Sequence, residues 1–232
     1  MTVRRTDGRT CRACTRPHRR CNDDQMRRAT PGHVWAWLYD VAMRRVERRG
    51  LAELRRRIIG RAQGRTLEIG AGTGANLAFY PPTASPLTLT DPDPHKLRRL
   101  RRRAAPSARV VAANAQALPF DDGAFDTVVT TLVLCSVPNQ ADALAEVRRV
   151  LRPEGSLLFL EHVRSAEPHL ADRQDRWRPM WRAVAGGCEP NRDTVTAIAA
   201  AGFAVTELWH ARMPAAPAIV RPLAVGAATR PE

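Results

Sequence analysis

The segment Leu67-Glu68-Ile69-Gly70-Ala71-Gly72-Thr73-Gly74 constrains the fold more than any other stretch of the chain. A short apolar run enters a glycine-rich turn, and Asn76–Tyr80 then begins a helix. Glycines at alternate positions let backbone amides approach a ligand with no Cβ in the way. A dinucleotide fingerprint instead spaces its glycines Gly-x-Gly-x-x-Gly and rests a pyrophosphate on the helix N-terminus. Here the spacing is Gly-x-Gly-x-Gly, and Glu68 stands just before it. A carboxylate at that point repels pyrophosphate and suits a cationic or amino-bearing ligand.

A second acid follows at a telling distance. Asp91 closes the apolar run Leu87–Thr90, about twenty residues beyond the glycines, where a carboxylate can accept both hydroxyls of a ribose. Its alternative is a turn residue ahead of Pro92. Strand, acid, glycines and downstream aspartate together read as a site for an adenosyl sulfonium rather than for a dinucleotide.

From Gly64 onward short apolar runs alternate with helical stretches, the pattern of a parallel α/β sheet. Strands are expected at Thr66–Ile69, Leu87–Thr90, Ala108–Ala112, Thr127–Thr131, Ser156–Leu160 and Val205–His210, with a last one at Pro222–Ala227. Helices are expected over Pro94–Arg103, Ala141–Val150 and Arg192–Ala201. Asn191 is placed as the cap of the last of these, with Asp193 in its first turn.

The charge lies at the front. The chain has 232 residues and a net charge of +14, yet residues 1–61 hold 17 arginines against six acids, which leaves only +3 for the rest. Residues 1–30 read as a basic, disordered extension, and 31–232 as a single domain with covering helices over 33–61. Cys11, Cys14, His18 and Cys21 offer four soft ligands, but the spacing is tighter than in common zinc modules and no second half follows. No metal is expected. Trp35, Leu38, Val41, Ala42 and Val46, then Leu51, Leu54, Ile58 and Ile59, recur at helical spacing on either side of Gly50. Arg44, Arg45, Arg48, Arg49 and Arg55–Arg57 are expected largely on the wet faces. Such helices either lie on an anionic membrane or cover the edge of the fold with their arginines solvated. No apolar run approaches the ~18 residues of a membrane span. With no apolar centre in the first 30 residues and an odd cysteine count, the expectation is a cytoplasmic chain with reduced thiols.

The stretch Leu67–Val163 resembles the class I S-adenosylmethionine-dependent methyltransferases. Within them it is similar to the methyltransferase-like family that includes animal alkyl-thiol S-methyltransferases. The runs that carry the likeness are Leu67-Glu-Ile-Gly-Ala-Gly-Thr-Gly-Ala-Asn, Phe79-Tyr-Pro-Pro, Asp91-Pro-Asp-Pro, Thr131-Leu-Val-Leu-Cys-Ser-Val, Leu151-Arg-Pro-Glu-Gly, Leu160-Glu-His-Val and Gly187-Cys-Glu. They cover roughly residues 33–228. The resemblance implies a Rossmann-like fold, a seven-stranded mostly parallel sheet with helices on both faces, and S-adenosyl-L-methionine at the carboxyl ends of the strands. It implies Glu68, Gly70, Ala71, Gly72 and Gly74 around the amino-acid part, Asp91 at the ribose, and Asn114 and Ala115 at the adenine. Leu132 would lie beside the bound group. Asn114 stands where relatives often have Asp, and its neutral oxygen should bind less tightly. The animal relatives carry an apolar anchor at their start, for which this chain shows no counterpart.

Methyl transfer from a sulfonium is an in-line displacement in which the protein aligns and desolvates. Leu132, Cys135, Glu161 and His162 occupy the carboxyl ends of strands four and five, where the acceptor must lie. His162 is the candidate general base, since its ordinary pKa is near ~6.5. Cys135 reads as buried packing, and Cys188 as a turn residue or part of the acceptor pocket. Trp177, Met180 and Trp181 either wall that pocket or form a core cluster. The leading expectation is a monomeric methyltransferase acting on a small, mostly apolar acceptor, a thiol first. A phospholipid amine or quinone-type carbon is the alternative. A nucleic-acid-binding module at the basic front is a second class, and it lacks aromatic–basic interleaving.

Overall fold

The computed structural model describes residues 45–232. The basic extension with its cysteine set, and the covering helix as far as Arg44, lie outside the described residues. Among the described residues a helical turn spans Glu47–Leu51, within which Gly50 leaves helical geometry (φ 137°), as the sequence break there predicts. Helix α1 (Ala52–Ile59) follows.

Seven strands form one sheet in the order β3-β2-β1-β4-β5-β7-β6. They are β1 (Thr66–Ile69), β2 (Leu87–Asp91), β3 (Arg109–Ala112), β4 (Phe125–Thr131), β5 (Leu151–His162), β6 (Ala204–Arg212) and β7 (Pro222–Thr229). Neighbours from β3 to β5 pair in parallel, while β7 runs antiparallel to both β5 and β6. Ile69, Asp91, Thr131 and His162 therefore end their strands on one edge of the sheet. This is the doubly wound arrangement the sequence predicts.

The period of two in the strands separates the faces. Leu157 and Phe159 of β5 pack with Val128 of β4 against helix α3 (Gln140–Val150) and helix α5 (Thr194–Ala200). Leu158, Leu160 and Val129 point the other way, onto Leu51, Ile58 and Ile59 and onto Ile219 and Val220. Each fully buried Leu, Ile or Phe stabilises the fold by about 1.5–3 kcal/mol relative to exposure. Under the far edge, Leu89 packs on Leu97 and Leu100 of helix α2 (Pro94–Arg103). Asp93 caps α2 by accepting from the backbone N–H of His95, and Pro94 supplies the preset first turn.

Several expectations need correcting. Strand β5 extends beyond Ser156–Leu160 at both ends. Residues between Leu151 and Ser156 bulge out of the ladder around Glu154 (φ 61°), which is why the Pro153-Glu154-Gly155 run looked like a boundary. Helix α4 (Pro168–Val184) has no counterpart in the expected elements, because only Leu170, Ala171 and Gln174 of it are buried and Pro179 lies within it, a residue that argues against a helix in sequence. Trp177 and Met180 are 45% and 50% exposed, so they form no core cluster. Helix α5 is capped by Asp193, which accepts from the Thr196 N–H. Asn191 instead donates its amide to Asp175 at 2.7 Å.

The arginine run also divides. Arg55 is 4% exposed, Arg56 pairs with Glu53, and Arg57 stacks over the Trp209 ring at 4.2 Å. Arg55 follows Leu51 by four residues and precedes Ile58 and Ile59 by three and four, so it shares their buried face. No helix among the described residues is long and apolar enough to cross a membrane.

Candidate active site

The glycine turn is shaped by what surrounds it. Gly70 has φ 66°, and a Cβ there would sit 2.5 Å from Val133 Cγ2, so only glycine brings β1 this close to the loop after β4. Gly72 (φ 59°) differs: among the described residues only the Gly70 carbonyl comes within 4.0 Å of the corresponding point. The described residues therefore leave room above the loop's middle. Asp91 borders that space. Its two oxygens accept from the Gly72 N–H at 3.0 Å and the Asp93 N–H at 2.8 Å, and Lys96 Nζ lies 4.0 Å away. Each oxygen retains a lone pair. Burial raises the Asp91 pKa from its ordinary value, against the opposing pull of Lys96 and the two N–H groups.

Glu68, two residues before Gly70 on β1, is buried. One oxygen accepts from Asn76 Nδ2 and the other from the Tyr80 hydroxyl, both at 2.8 Å. Arg55 completes a buried polar cluster: its Nη1 donates to Asn76 Oδ1 at 2.8 Å and to the Thr131 hydroxyl at 3.0 Å, while its Nε pairs with Glu47 at 2.9 Å. Asn76 also reaches Thr131. Burial pushes the Glu68 pKa up to about 7, although Tyr80, Asn76 and Arg55 all favour its charged form. This cluster joins α1, the turn after the glycines and the end of β4. The sequence reading missed Arg55, Asn76, Thr131 and Tyr80 as site residues, and helical phase was the available signal for Arg55.

The third wall is the loop after β3. Asn114 Oδ1 accepts from the Gln116 N–H at 3.0 Å, and Ala115 is buried beside it. Arg149 and Glu146 of α3 hold the far end of this loop. Arg149 donates to the carbonyls of Leu118 and Phe120, and Glu146 accepts from the Leu118 N–H.

At the end of β4 the backbone is strained. Leu132 has φ 59°, a conformation that disfavours a branched side chain and costs about 1–3 kcal/mol. Glu161, fully buried at the end of β5, fixes the chain beyond it by accepting from the N–H groups of Val133 and Cys135. Burial raises the Glu161 pKa while those N–H groups oppose the rise. His162, one residue on, belongs to the opposite face of β5. It is buried, its Nδ1 has no partner among the described residues, and burial lowers its pKa to about 4 against the pull of the Val220 and Pro222 carbonyls. Cys188 meets Cys135 at 3.8 Å between sulfurs.

Of the residues expected from sequence, Gly70, Ala71, Gly72 and Gly74 form the turn after β1, Asp91 is tied to that turn through the Gly72 N–H, and Asn114, Ala115 and Leu132 lie in the loops after β3 and β4. Residues 67–159 match the family model for a methyltransferase domain. Human thiol S-methyltransferase TMT1A is 40% identical over 172 residues, spanning 71% of this chain and 70% of that protein. The chain belongs to its methyltransferase family. Human thiol S-methyltransferase TMT1B is 43% identical over 137 residues, 55% of each chain. Among solved structures, the putative methyltransferase bound to the Haloferax volcanii Trm112 activator superposes with a TM-score of 0.65 at 16% identity, over 88% of this chain and 100% of that one. That last likeness bears on the fold alone. This methyltransferase uses S-adenosylmethionine, and the open glycine loop beside a buried carboxylate fits such a group.

Proposed function

We propose that this methyltransferase transfers a methyl group to the sulfur of a small, mostly apolar thiol. The observation that carries the reading is the likeness to human TMT1A over 172 residues, which must extend well outside the matched domain at 67–159. S-adenosylmethionine, when bound, supplies an activated methyl group and a neutral thioether leaving group. In this reading Asp91 takes the ribose hydroxyls, and Gly70, Ala71, Gly72 and Gly74 give the backbone surface for the amino-acid part. Asn114 and Ala115 meet the adenine, and Leu132 bounds the sulfonium end. Glu68 holds the loop through Asn76.

On the acceptor side His162 was the candidate base. With its pKa near 4 it is neutral at physiological pH but a weak proton acceptor. Taking a proton from a thiol of pKa ~8.5 would be uphill by about 6 kcal/mol. The attacking species in our reading is therefore thiolate formed in solution, and the protein's task is alignment. The rate should then climb about tenfold per pH unit below the acceptor's own pKa, and the profile should shift with that pKa across a series of thiols.

The test is transfer of a labelled methyl group, with alkyl thiols, phosphatidylethanolamine and quinol precursors offered in parallel. Thioether formation is the expected result. Labelled lipid or quinone with no thioether would overturn the assignment.

A further inference from the structure

We propose that Cys135 and Cys188 form a reversible oxidation site whose disulfide restrains the acceptor end of the sheet and slows methyl transfer. The two residues are distant in sequence, yet their sulfurs lie 3.8 Å apart and both side chains are buried. A disulfide needs about 2.05 Å, so closure asks for less than 2 Å of movement.

The backbones on either side are already joined. The Glu189 N–H donates to the Cys135 carbonyl at 2.7 Å, and Arg192 Nη1 donates to the Leu134 carbonyl at 2.8 Å. At Gly187 a Cβ would lie 2.9 Å from the Ser136 carbonyl, so the turn before Cys188 packs directly on the loop after β4. The Sγ of Cys135 also touches the Ser136 hydroxyl at 3.6 Å. Two small apolar fillers would need none of this pairing, although a free cysteine does pack well as a hydrophobe.

Chemistry favours Cys188 as the first sulfur to react. The Trp181 indole N–H is buried with no partner among the described residues, and an ionised Cys188 gives it an acceptor. The neighbouring Cys135 thiol and then that contact lower the Cys188 pKa, while the Cys188 sulfur and then burial hold the Cys135 pKa up. With hydrogen peroxide as oxidant, the Cys188 thiolate attacks one peroxide oxygen. The O–O bond breaks, hydroxide leaves, and protonation yields water and a sulfenic acid. Cys135 then attacks the sulfenic sulfur, the S–S bond forms, and a second water leaves with the Cys135 proton. One peroxide is reduced and two thiols are oxidised. A dithiol reductant reverses the bond by exchange. The link pulls on the loop that begins at the strained Leu132 and that Glu161 holds, and so reaches the reacting end of the site.

The experiment uses the full chain with Cys11, Cys14 and Cys21 replaced by Ser, so that only this pair can respond. Hydrogen peroxide should remove both titratable thiols of the unfolded protein. Peptide mapping should show Cys135 joined to Cys188 with the loss of two hydrogens, a readout independent of which acceptor is methylated. Methyl transfer should fall at least tenfold and return with dithiothreitol. In Cys188→Ser, peroxide should cause no loss that dithiothreitol reverses, and in Cys135→Ala oxidation should stop at a Cys188 sulfenic acid that dimedone traps, with no S–S link formed. Two intact thiols, or sulfinic acids without a link, would overturn the site. A linked protein that still transfers methyl at the reduced rate's full value would overturn its effect on catalysis.

Discussion

At the ends of β1 and β2 the site is made of backbone: a glycine turn open at Gly72 and a carboxylate, Asp91, tied down by two N–H groups. At the ends of β4 and β5 it is made of buried side chains, Glu161, His162, Cys135 and Cys188, next to a backbone strained at Leu132. A surface built from backbone needs particular residues at fixed spacing, and such spacing is visible in a sequence. A surface built from side chains brought together by packing leaves no such trace. The first half therefore announces its cofactor, whereas the second does not announce its acceptor.

The largest effect that would test this contrast is on the backbone side. Asp91→Ala should weaken cofactor binding by a hundredfold or more, about 3–4 kcal/mol, through two lost charge-assisted hydrogen bonds. Calorimetry on the folded variant measures it, and unchanged affinity would remove the ribose assignment. Next comes the cluster that joins the two sides. Arg55→Ala should lower stability by about 3 kcal/mol, because Glu47, Asn76 and Thr131 all lose a buried partner. Denaturant unfolding gives the number, and a loss below about 1 kcal/mol would mean the cluster relaxes around the gap. On the acceptor side Glu161→Gln should cost about 2 kcal/mol, since its amide nitrogen faces a backbone donor in one of the two contacts. Turnover should fall with it while cofactor affinity holds; equal losses in both would mean the two sides are not separable.

The smallest effect is on the pH dependence of stability, where the two sides oppose each other. Glu68 has a raised folded pKa, about 7 against 4.5, so its contribution is present at low pH and is lost as pH rises between those values. His162 has a lowered one, about 4 against 6.5, so its contribution is present above pH 6.5 and is lost as pH falls toward 4. Between pH 5 and 6.5 the slopes partly cancel. Glu68→Gln should leave stability rising with pH across that window, and His162→Ala should leave it falling. Parallel curves for the two variants would show that neither group titrates as its burial implies.

The sheet was legible because its strands are short apolar runs between turn residues, and β1, α2 and α3 fall within a residue of their expected limits. Helix α4 was not, because a helix that buries only Leu170, Ala171 and Gln174 leaves no apolar period to read. Arg55 was misplaced because its type suggests solvent while its phase points inward. Phase decided. Glu161 was placed correctly at the end of its strand, but its hold on the backbone N–H groups of Val133 and Cys135 depends on packing that sequence does not show.

The antiparallel course of β7 has one practical consequence. It returns the chain to the sheet edge opposite the site, where Thr229 pairs with Ser156 and Ala204 while Leu223 stands beside His162. A linker joined after residue 232 therefore leaves from the far edge. An enzyme tethered to a bead or an electrode through that position would present its catalytic end outward to solution.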